Sequence, residues 1–463
     1  MLNILRRSSF LLGLCLSAFA PCRSAVAQES LAEVKTVEAT NDLTFGDFRT
    51  CENFGAQTAP IVDCGALRSA VQERGVTFAG RSTHFGFGVA DGINVAAPPP
   101  FGRGDVFRYT GRGEYDTIFD LEKFGGLPHG KLLVRLEHWY GEYGNVSLRT
   151  GAFSPPVFPA AVPPAPDDPG RLFVTNFVVS QPLSEKFVVF AGKKDVLGAT
   201  DQDVFAGGDG TDQFLNQALI ANPAFLLGLP YTSIVTGFAA PQDWGMISGF
   251  VYDPKDRTQD FFDLGDLYAK GVIVGGEVKV NTSFFGLSGD HHVGGMWKHV
   301  KLTDLRFNEP PPGVYPEPTV PGFPTLADSW TLYYGFDQYL VEFSSDPKTR
   351  KGWGLFGRAS LSDGNPTPVR YFLSTGVGGD SRLRSGKADR WGIGYFYVGA
   401  SDQFGAIPQA LFGPRDGSGL ELYYNFQVNR FLNITPDIQF IRPEASALAD
   451  EAFVYGLRAN ISW

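Results

Sequence analysis

The last eleven residues of the chain, Phe453 to Trp463, alternate between two faces. A period of two residues predicts a β-strand with one apolar face. Because the opposite face holds Arg458, this strand is expected to separate lipid from water, as strands of transmembrane barrels do. The apolar face carries Phe453, Tyr455, Leu457, Ala459, Ile461 and Trp463, and the other face carries Val454, Gly456, Arg458, Asn460 and Ser462.

An aromatic last residue after such a pattern is typical of the terminal signal read by the outer-membrane barrel assembly machinery, although Phe is commoner there than Trp463. Two earlier segments alternate in the same way, Leu420–Val428 and Leu432–Phe440, and Asn429-Arg430 between them predicts a tight turn. Pro436 removes one hydrogen-bond donor from the second segment, so a bulge is expected there.

Further strands are predicted along the whole chain, about sixteen in total, which is the range in which a barrel keeps an aqueous lumen. Tryptophans fall at strand ends, where interfacial girdles place aromatic residues: Trp244, Trp330, Trp353, Trp391 and Trp463. The candidate strands are Val76–Val89, Phe107–Leu121, Lys131–Tyr140, Arg171–Val179, Glu185–Val196, Ser233–Phe238, Trp244–Tyr252, Ala269–Val280, Val293–Leu302, Trp330–Phe343, Trp353–Asp363, Tyr371–Gly376 and Trp391–Val398.

The N-terminus predicts export. Arg6 and Arg7 precede the apolar stretch Phe10 to Ala20, and Ala25-Val26-Ala27 gives an A-x-A cleavage site. This stretch is too short for a transmembrane helix of about 20 residues. Twin-arginine export is a weak alternative, because a barrel must cross the inner membrane unfolded. We therefore expect a signal peptide over residues 1–27, a periplasmic segment over 28–75 with a short helix at Gly65–Arg74, and a barrel domain over 76–463.

Loss of the signal peptide moves the formal charge from −10 to −13. An acidic chain is a poor partner for nucleic acid, which binds to clusters of Lys and Arg. Cys51 and Cys64 remain as an even pair in an oxidising compartment, which predicts a disulfide between them. Half of a metal site is the weaker alternative, because no histidine lies nearby in sequence.

Two proline-rich connections, Ala152–Gly170 and Thr303–Thr325, are expected to be extracellular loops, since such barrels have short periplasmic turns and long outer loops. Gln213 to Gln242 carries no charged residue. Asn216, Asn222 and Pro223 argue against a transmembrane helix there. We expect a short helix around Gln213–Leu219, then an apolar loop and a strand, with the segment folding into the lumen and narrowing it.

Six stretches of the sequence match a known family: DRWGIGYFY at 389–397, ELYYNFQV at 421–428, TPDIQFIRP at 435–443, AGK at 191–193, QFLN at 213–216 and WGLFGR at 353–358. Through them the chain resembles the carbohydrate-selective porins of OprB type over nearly all of its mature length. The resemblance implies a sixteen-stranded barrel through which sugars diffuse across the outer membrane. The shared motifs are strand and turn signatures, so they identify no individual sugar-contacting residue.

The strand Lys131–Tyr140 is the leading candidate for a channel wall. Its alternation places Arg135, Glu137 and Trp139 toward the lumen. An arginine and a carboxylate can exchange hydrogen bonds with sugar hydroxyls, and an indole can pack on a pyranose ring. A salt bridge beside a girdle tryptophan is the competing interpretation.

Other charged residues are expected to face inward and to set a transverse field between opposed positive and negative walls. Taken singly, each of them fits a structural ion pair better than a ligand contact. They are Arg108, Arg112, Glu114, Asp116 and Asp120 on one strand, Glu277 and Lys279 on another, and Arg358 on a third.

Little in the sequence indicates a metal, a cofactor or catalysis. Asp201, Asp203, Asp209 and Asp212 cluster in a glycine-rich loop, but the spacing of a calcium-binding EF-hand is missing. We find neither the G-x-S-x-G nor the H-E-x-x-H motif.

The leading hypothesis is a passive outer-membrane porin, with monosaccharides or small oligosaccharides, membrane lipids and the barrel assembly machinery as partners and a homotrimer as a possible state. An outer-membrane barrel enzyme of lipase or protease type is the alternative. An energised transporter is a third hypothesis, which the lack of length for a plug domain disfavours.

Overall fold

Sixteen antiparallel strands form one closed sheet in the described part of the chain. The computed structural model describes residues 65–97, 101–142, 145–161, 171–195, 203–225, 229–261, 263–308, 324–344 and 350–463. The expected signal peptide and the Cys51–Cys64 pair lie outside these ranges.

The barrel strands are β1 Val76–Ala90, β2 Val106–Asp120, β3 Lys131–Gly141, β4 Phe173–Ser184, β5 Phe187–Asp195, β6 Thr232–Gln242, β7 Gly245–Tyr252, β8 Gly271–Phe284, β9 Leu287–Val300, β10 Ser329–Ser344, β11 Lys351–Ser362, β12 Val369–Asp380, β13 Arg390–Ala400, β14 Gly417–Gln427, β15 Leu432–Arg442 and β16 Ala452–Ser462. Each strand pairs with its neighbours in sequence, and β1 pairs with β16 to close the sheet. This confirms the all-β barrel and the number of strands expected from the sequence.

The closing seam runs from Arg81 opposite Ser462 to Ala90 opposite Phe453. Trp463 extends it by one step, because its backbone N–H donates to the Gly80 carbonyl at 2.9 Å and its own carbonyl accepts from Gly80 at 3.1 Å. Its ring lies over Gly80, where an added Cβ would come within 2.5 Å of the indole. The C-terminal residue is therefore part of the seam that holds the barrel shut.

Alternation along the strands separates a lipid face from a lumenal face. In β16 the side chains of Leu457 and Ile461 are 54% and 39% exposed, whereas Arg458 is completely buried. The two earlier alternating segments, Leu420–Val428 and Leu432–Phe440, are confirmed as two-faced strands in the same way. Pro436, however, produces no bulge, since the registers on both sides of it are unshifted. The strand accommodates the missing N–H of Pro436 without an inserted residue.

Four short helices accompany the barrel in the described residues: α1 Gly65–Glu73, α2 Phe158–Ala161, α3 Gln217–Ile220 and α4 Ala406–Phe412. α1 confirms the helix predicted before the first strand. Lys123, in the turn after β2, donates to the carbonyl of Glu73 at 3.0 Å, which ties α1 to that end of the barrel. No helix within the described ranges is both long and apolar enough to cross a bilayer.

The two ends of the barrel differ in their connections. At the end that holds α1 and Trp463, three turns contain only two residues each, at 185–186, 243–244 and 285–286. We call this the turn end, which is periplasmic in such barrels, and the opposite, extracellular end the loop end. Within the second long connection, Leu302–Thr303 pairs with Thr325–Leu326.

The first long connection is not simply an outer loop. Its described part includes Phe153, Val157 and Phe158, which are at most 9% exposed and pack among the residues of the barrel interior. The expectation of an extracellular loop over Ala152–Gly170 is therefore wrong for its first half. Apolar residues at 153, 157, 158, 160 and 161 find a buried surface inside the barrel, which an exposed loop would not provide.

Candidate functional site

Residues 203–225, which we call the inserted segment, fill part of the lumen. Phe205 and Phe214 are completely buried. The ring of Phe214 packs edge-on against Phe356 and Tyr423, with centroids 5.5 and 4.9 Å away. Residues 213–225, the described first part of the charge-free stretch that was expected to fold inward, therefore do so, and they include α3.

Hydrogen bonds fix the inserted segment to the β14–β15 wall. The Glu421 carboxylate accepts from the backbone N–H groups of Leu215 at 2.5 Å and Asn216 at 2.8 Å. The Asn216 side chain donates to Gln439 at 3.0 Å and also accepts from Ala218, which caps α3. Buried backbone donors are costly to leave unpaired, so these contacts hold the segment in one position.

A second lumenal element, residues 145–161, packs above the inserted segment. The backbone N–H of Phe158 donates to the Leu215 carbonyl at 3.1 Å. The Gln439 side chain donates to the Pro156 carbonyl at 2.9 Å, and Glu444 accepts from the Phe153 N–H at 2.6 Å. The lumen is thus narrowed by two segments from different connections.

Arginines and carboxylates of β1, β2 and β3 form a continuous chain of ion pairs, which we call the wall cluster. Arg81 binds Glu114 through both Nε and Nη2, at 2.5 and 2.9 Å, and also contacts Asp209 of the inserted segment. Arg135 binds Asp116 in the same two-pronged way, at 2.6 and 2.8 Å. Bidentate ion pairs of this kind fix the relative orientation of the two side chains and also neutralise their charges.

Protein groups pair with most polar atoms at the buried end of the wall cluster, although Arg112 Nε has no hydrogen-bond partner among the described residues. Arg112 contacts Glu114 and Glu137, both at 3.1 Å. Glu137 accepts from the hydroxyl groups of Tyr231 at 2.6 Å and Thr175 at 2.8 Å, so both of its oxygens are occupied. It faces the lumen as predicted, but it is completely buried and is held by protein groups.

Trp139 also faces the lumen, yet it offers no free ring surface. The indole is 7% exposed and packs against Phe173 at 4.8 Å and edge-on against Tyr231 at 5.8 Å. The expected platform for a sugar ring is therefore covered by protein. The alternation predicted the direction of the side chain, but it could not predict its neighbours from β4 and from the residue before β6.

A second cluster, on β8–β11, holds the other end of the inserted segment. Arg358 donates to Asp203 through Nε and Nη2 at 3.0 and 2.9 Å and to the Leu219 carbonyl at 2.9 Å. Lys279 pairs with Asp290 at 2.9 Å. Burial alone would raise the pKa of Asp203, but the positive charges of His292, Arg358 and Lys279 outweigh it and lower that pKa to about 2.

Three possible metal-ligating atoms of the second cluster, from Asp203, Asp290 and His292, lie within 4.8 Å of one another. Arg358 and Lys279 already bind these carboxylates and supply the positive charge that a cation would bring. The aspartates of the glycine-rich loop do not converge either, because Asp203 pairs with β11, Asp209 with β1 and Asp212 with β13. Asp201 lies outside the described residues.

The expectation of opposed positive and negative walls is wrong. Within each cluster cations and anions lie side by side, as Arg81 does with Glu114 and Lys279 with Asp290. Arg108 likewise pairs with Glu142 at 2.6 Å near the loop end. Low-dielectric surroundings favour such local pairing over separated charge. Glu277 accepts from the Tyr333 hydroxyl at 2.7 Å, and Asp120 lies at the end of β2.

Four charged side chains remain partly open to solvent beside the inserted segment, and we call them the open ring. Their exposed fractions are 16% for Arg81, 15% for Asp116, 39% for Asp212 and 23% for Arg390. They belong to β1, β2, the inserted segment and β13, and two of them are positive and two are negative. A molecule passing the segment from the turn end meets both donors and acceptors there.

The family model for the carbohydrate-selective porins, OprB family, matches residues 106–463. The chain belongs to this family. Among solved structures, it is similar to Pseudomonas putida OprB in its high-pH structure, with a TM-score of 0.70 and 17% sequence identity over 87% of this chain and 97% of that one. The low-pH structure of the same protein gives 0.51 and 15% over the same shares. A search of curated proteins finds no match.

Family and fold together establish this chain as a porin of the bacterial outer membrane, through which carbohydrates diffuse passively. The enzyme alternative finds no support in them. Several residues of the lumen were not singled out in the sequence: Arg81, Asp195, Tyr231, Asp290, His292, Asp337 and Arg390. Alternation within β1 could have found Arg81. Nothing local marks Tyr231, which reaches the wall cluster from a loop.

Proposed function

We propose that sugars cross this porin by exchanging hydrogen bonds with the open ring of Arg81, Asp116, Asp212 and Arg390. The observation that carries the proposal is their partial exposure next to the inserted segment, where most other lumenal charges are buried. Guanidinium groups donate only and carboxylates accept only, whereas a sugar hydroxyl does both. The two guanidinium groups and two carboxylates of the open ring can therefore pair with both the oxygen and the hydrogen of sugar hydroxyls.

The pairing of these charges also supports weak, transient binding. Arg81 already has Glu114 and Asp209 as partners, and Asp116 has Arg135. A sugar hydroxyl that displaces such a partner gains only the difference between the two hydrogen-bond energies. This small gain limits the residence time of the sugar. Conduction needs binding that is favourable enough for entry and weak enough for exit. Arg135 lies one step behind the ring and contributes by holding Asp116 in place.

The experiment is liposome swelling with a series of neutral sugars and the variant Arg390→Gln. We expect swelling by small sugars with the parent and a changed rank order among sugars of similar size with the variant. Arg370→Gln is the matched control, because Arg370 is exposed at the loop end and pairs with Asp402. An unchanged rank order in Arg390→Gln would contradict the open ring. Absence of swelling for every small sugar, together with hydrolytic activity, would favour the enzyme alternative.

We further propose that the porin forms a homotrimer through the outer face of β1–β3. On this face the Ser82 hydroxyl lies 2.7 Å from the Tyr140 hydroxyl, and His84 Nδ1 lies 2.7 Å from the Tyr109 hydroxyl. Such polar groups are more costly against lipid than against a second copy of the chain. Sedimentation of the detergent-solubilised porin tests this, and a monomer at every protein concentration would contradict it.

The remaining proposals concern biogenesis. We infer export by residues 1–27, a disulfide between Cys51 and Cys64, a periplasmic segment over 28–75, and delivery of the 76–463 barrel to the assembly machinery and the membrane lipids. Mass spectrometry of the native, alkylated protein under non-reducing conditions tests the disulfide. Two alkylated thiols would contradict it.

A further inference from the structure

A basic cavity of about 370 Å³ opens at the turn end, between β10, β11 and the turn 381–389. Its volume is within the range of small-molecule sites, roughly 300–1,000 Å³. Among the described residues that line it, four are basic, Lys351, Arg382, Arg384 and Lys387, and two are acidic, Asp380 and Asp389. This excess of positive charge is local, because the whole chain carries a formal charge of −10.

Both acidic groups already have hydrogen-bond partners in the protein. Asp389 is held by Arg384 through two hydrogen bonds at 2.6 and 2.5 Å, and Asp380 accepts from the Gly352 N–H at 2.8 Å. The other three cations pair with no carboxylate of the described residues. Lys387 donates to the Val428 carbonyl at 3.1 Å, and Arg382 donates to the Phe343 carbonyl at 3.4 Å. The cavity therefore presents cations that have an unmet preference for an anion.

The cavity faces the membrane side of the barrel rim. In β14, Tyr423 and Asn425 point inward, so Tyr424 and Phe426 point outward. The turn covers this outer face, because the Ser381 hydroxyl lies 2.8 Å from the Tyr424 hydroxyl and Arg384 lies over the Phe426 ring at 5.2 Å. The turn that carries Arg382, Arg384 and Lys387 thus lies on the lipid side of the rim.

Apolar groups around the cavity fix its depth in the membrane. The rings of Trp353 and Trp391 lie 6.2 Å apart on the outer face, and aromatic girdles mark the level of the lipid headgroups. Arg382 stacks on Phe343 with its guanidinium carbon 4.0 Å from the ring centre. Leu383, next to it in the turn, is 83% exposed and has no protein surface to cover it. This combination matches an anionic headgroup above an acyl chain.

We propose that this cavity binds the headgroup of an anionic phospholipid from the inner leaflet of the outer membrane. The phosphate lies between Arg382, Lys387 and Lys351, and the acyl chains pass over Leu383 and the two tryptophans. Each basic residue near an anionic membrane surface raises binding by roughly fivefold, so loss of two lowers it about thirtyfold.

Native mass spectrometry of the full-length folded porin in a neutral detergent tests the proposal, with phosphatidylglycerol and phosphatidylcholine as probes. We expect retained phosphatidylglycerol on the parent, little phosphatidylcholine, and about thirtyfold weaker phosphatidylglycerol binding in the double variant Arg382→Gln, Lys387→Gln. Arg370→Gln at the opposite rim is the matched control and is expected to bind as the parent does. Heat-modifiable migration in gels verifies that each variant is folded.

Three outcomes would overturn the proposal. The double variant could retain phosphatidylglycerol like the parent, which would locate lipid binding elsewhere. Phosphatidylcholine could bind equally well, which would remove the role of charge. Inorganic phosphate could displace the lipid at equal headgroup concentration, which would make the cavity a site for free anions.

Discussion

Replacement of Arg358 by Ala should release the inserted segment from the barrel wall. Arg358 makes two hydrogen bonds to Asp203, at 3.0 and 2.9 Å, and one to the Leu219 carbonyl at 2.9 Å. Both charged side chains are buried, at 3% and 4% exposure. Removal of one partner from a buried pair costs about 3–5 kcal/mol.

The lower end of that range applies here. Asp203 keeps His292 at 3.7 Å and Lys279 at 4.0 Å, so its charge stays partly compensated. A loss of about 3 kcal/mol shifts the balance between docked and undocked segment roughly a hundredfold toward the undocked state.

Single-channel recording in planar bilayers is the assay, together with limited proteolysis of the folded porin. We expect higher and noisier conductance and faster cleavage within residues 203–225. Arg358→Lys keeps the charge but loses the two-pronged geometry, and it should fall between parent and Ala. Arg370→Ala, at an exposed pair, should change neither measurement. Unchanged conductance and equal protease resistance in Arg358→Ala would refute the idea that this contact holds the segment.

Three further predictions follow from other contacts. Trp463→Asp should block assembly of the heat-modifiable barrel while export continues, because it replaces the indole that covers Gly80 at the closing seam by a charge on the lipid face; folded protein in the membrane would contradict this. Arg135→Ala should shift the reversal potential toward cation selectivity, since a fixed positive charge leaves the wall; an unchanged potential would argue against it. Burial raises the pKa of Glu444 from 4.5 to about 7 although it accepts from Phe153. A raised carboxyl pKa stabilises the folded state below pH 4.5, and this stabilisation is lost as the pH rises through 7. The unfolding temperature of the parent should therefore fall between these pH values. The fall should be smaller in Glu444→Gln.

The sequence predicted the barrel well because its signals are local. The alternation of β3 placed Arg135, Glu137 and Trp139 correctly on the lumenal side, since side-chain direction in a strand follows from parity alone. The same rule identified the seam strand and its last residue. The charge-free stretch Gln213 to Gln242 predicted an inward segment, because an apolar stretch with helix-breaking residues has no stable place in lipid or in water.

The partners across the lumen could not be predicted. Trp139 was expected to meet sugar, but Phe173 and Tyr231 cover its ring from two other elements. Arg358 was expected to face the lumen and to fit a structural ion pair, but its partner could not be named, because Asp203 comes from a connection some 150 positions earlier. Such contacts depend on how a loop re-enters the barrel, which no periodicity in the strands encodes.

The inserted segment is held by strands from both ends of the chain. Asp209 contacts Arg81 in β1, the Gly210 carbonyl accepts from Arg458 in β16 at 2.6 Å, and Glu421 of β14 holds Leu215 and Asn216. An incompletely closed barrel lacks part of this surface, and contacts so distant in sequence form late. We therefore expect the inserted segment to dock only when the first and last strands meet. Size selection would then be acquired at the same step as closure of the barrel.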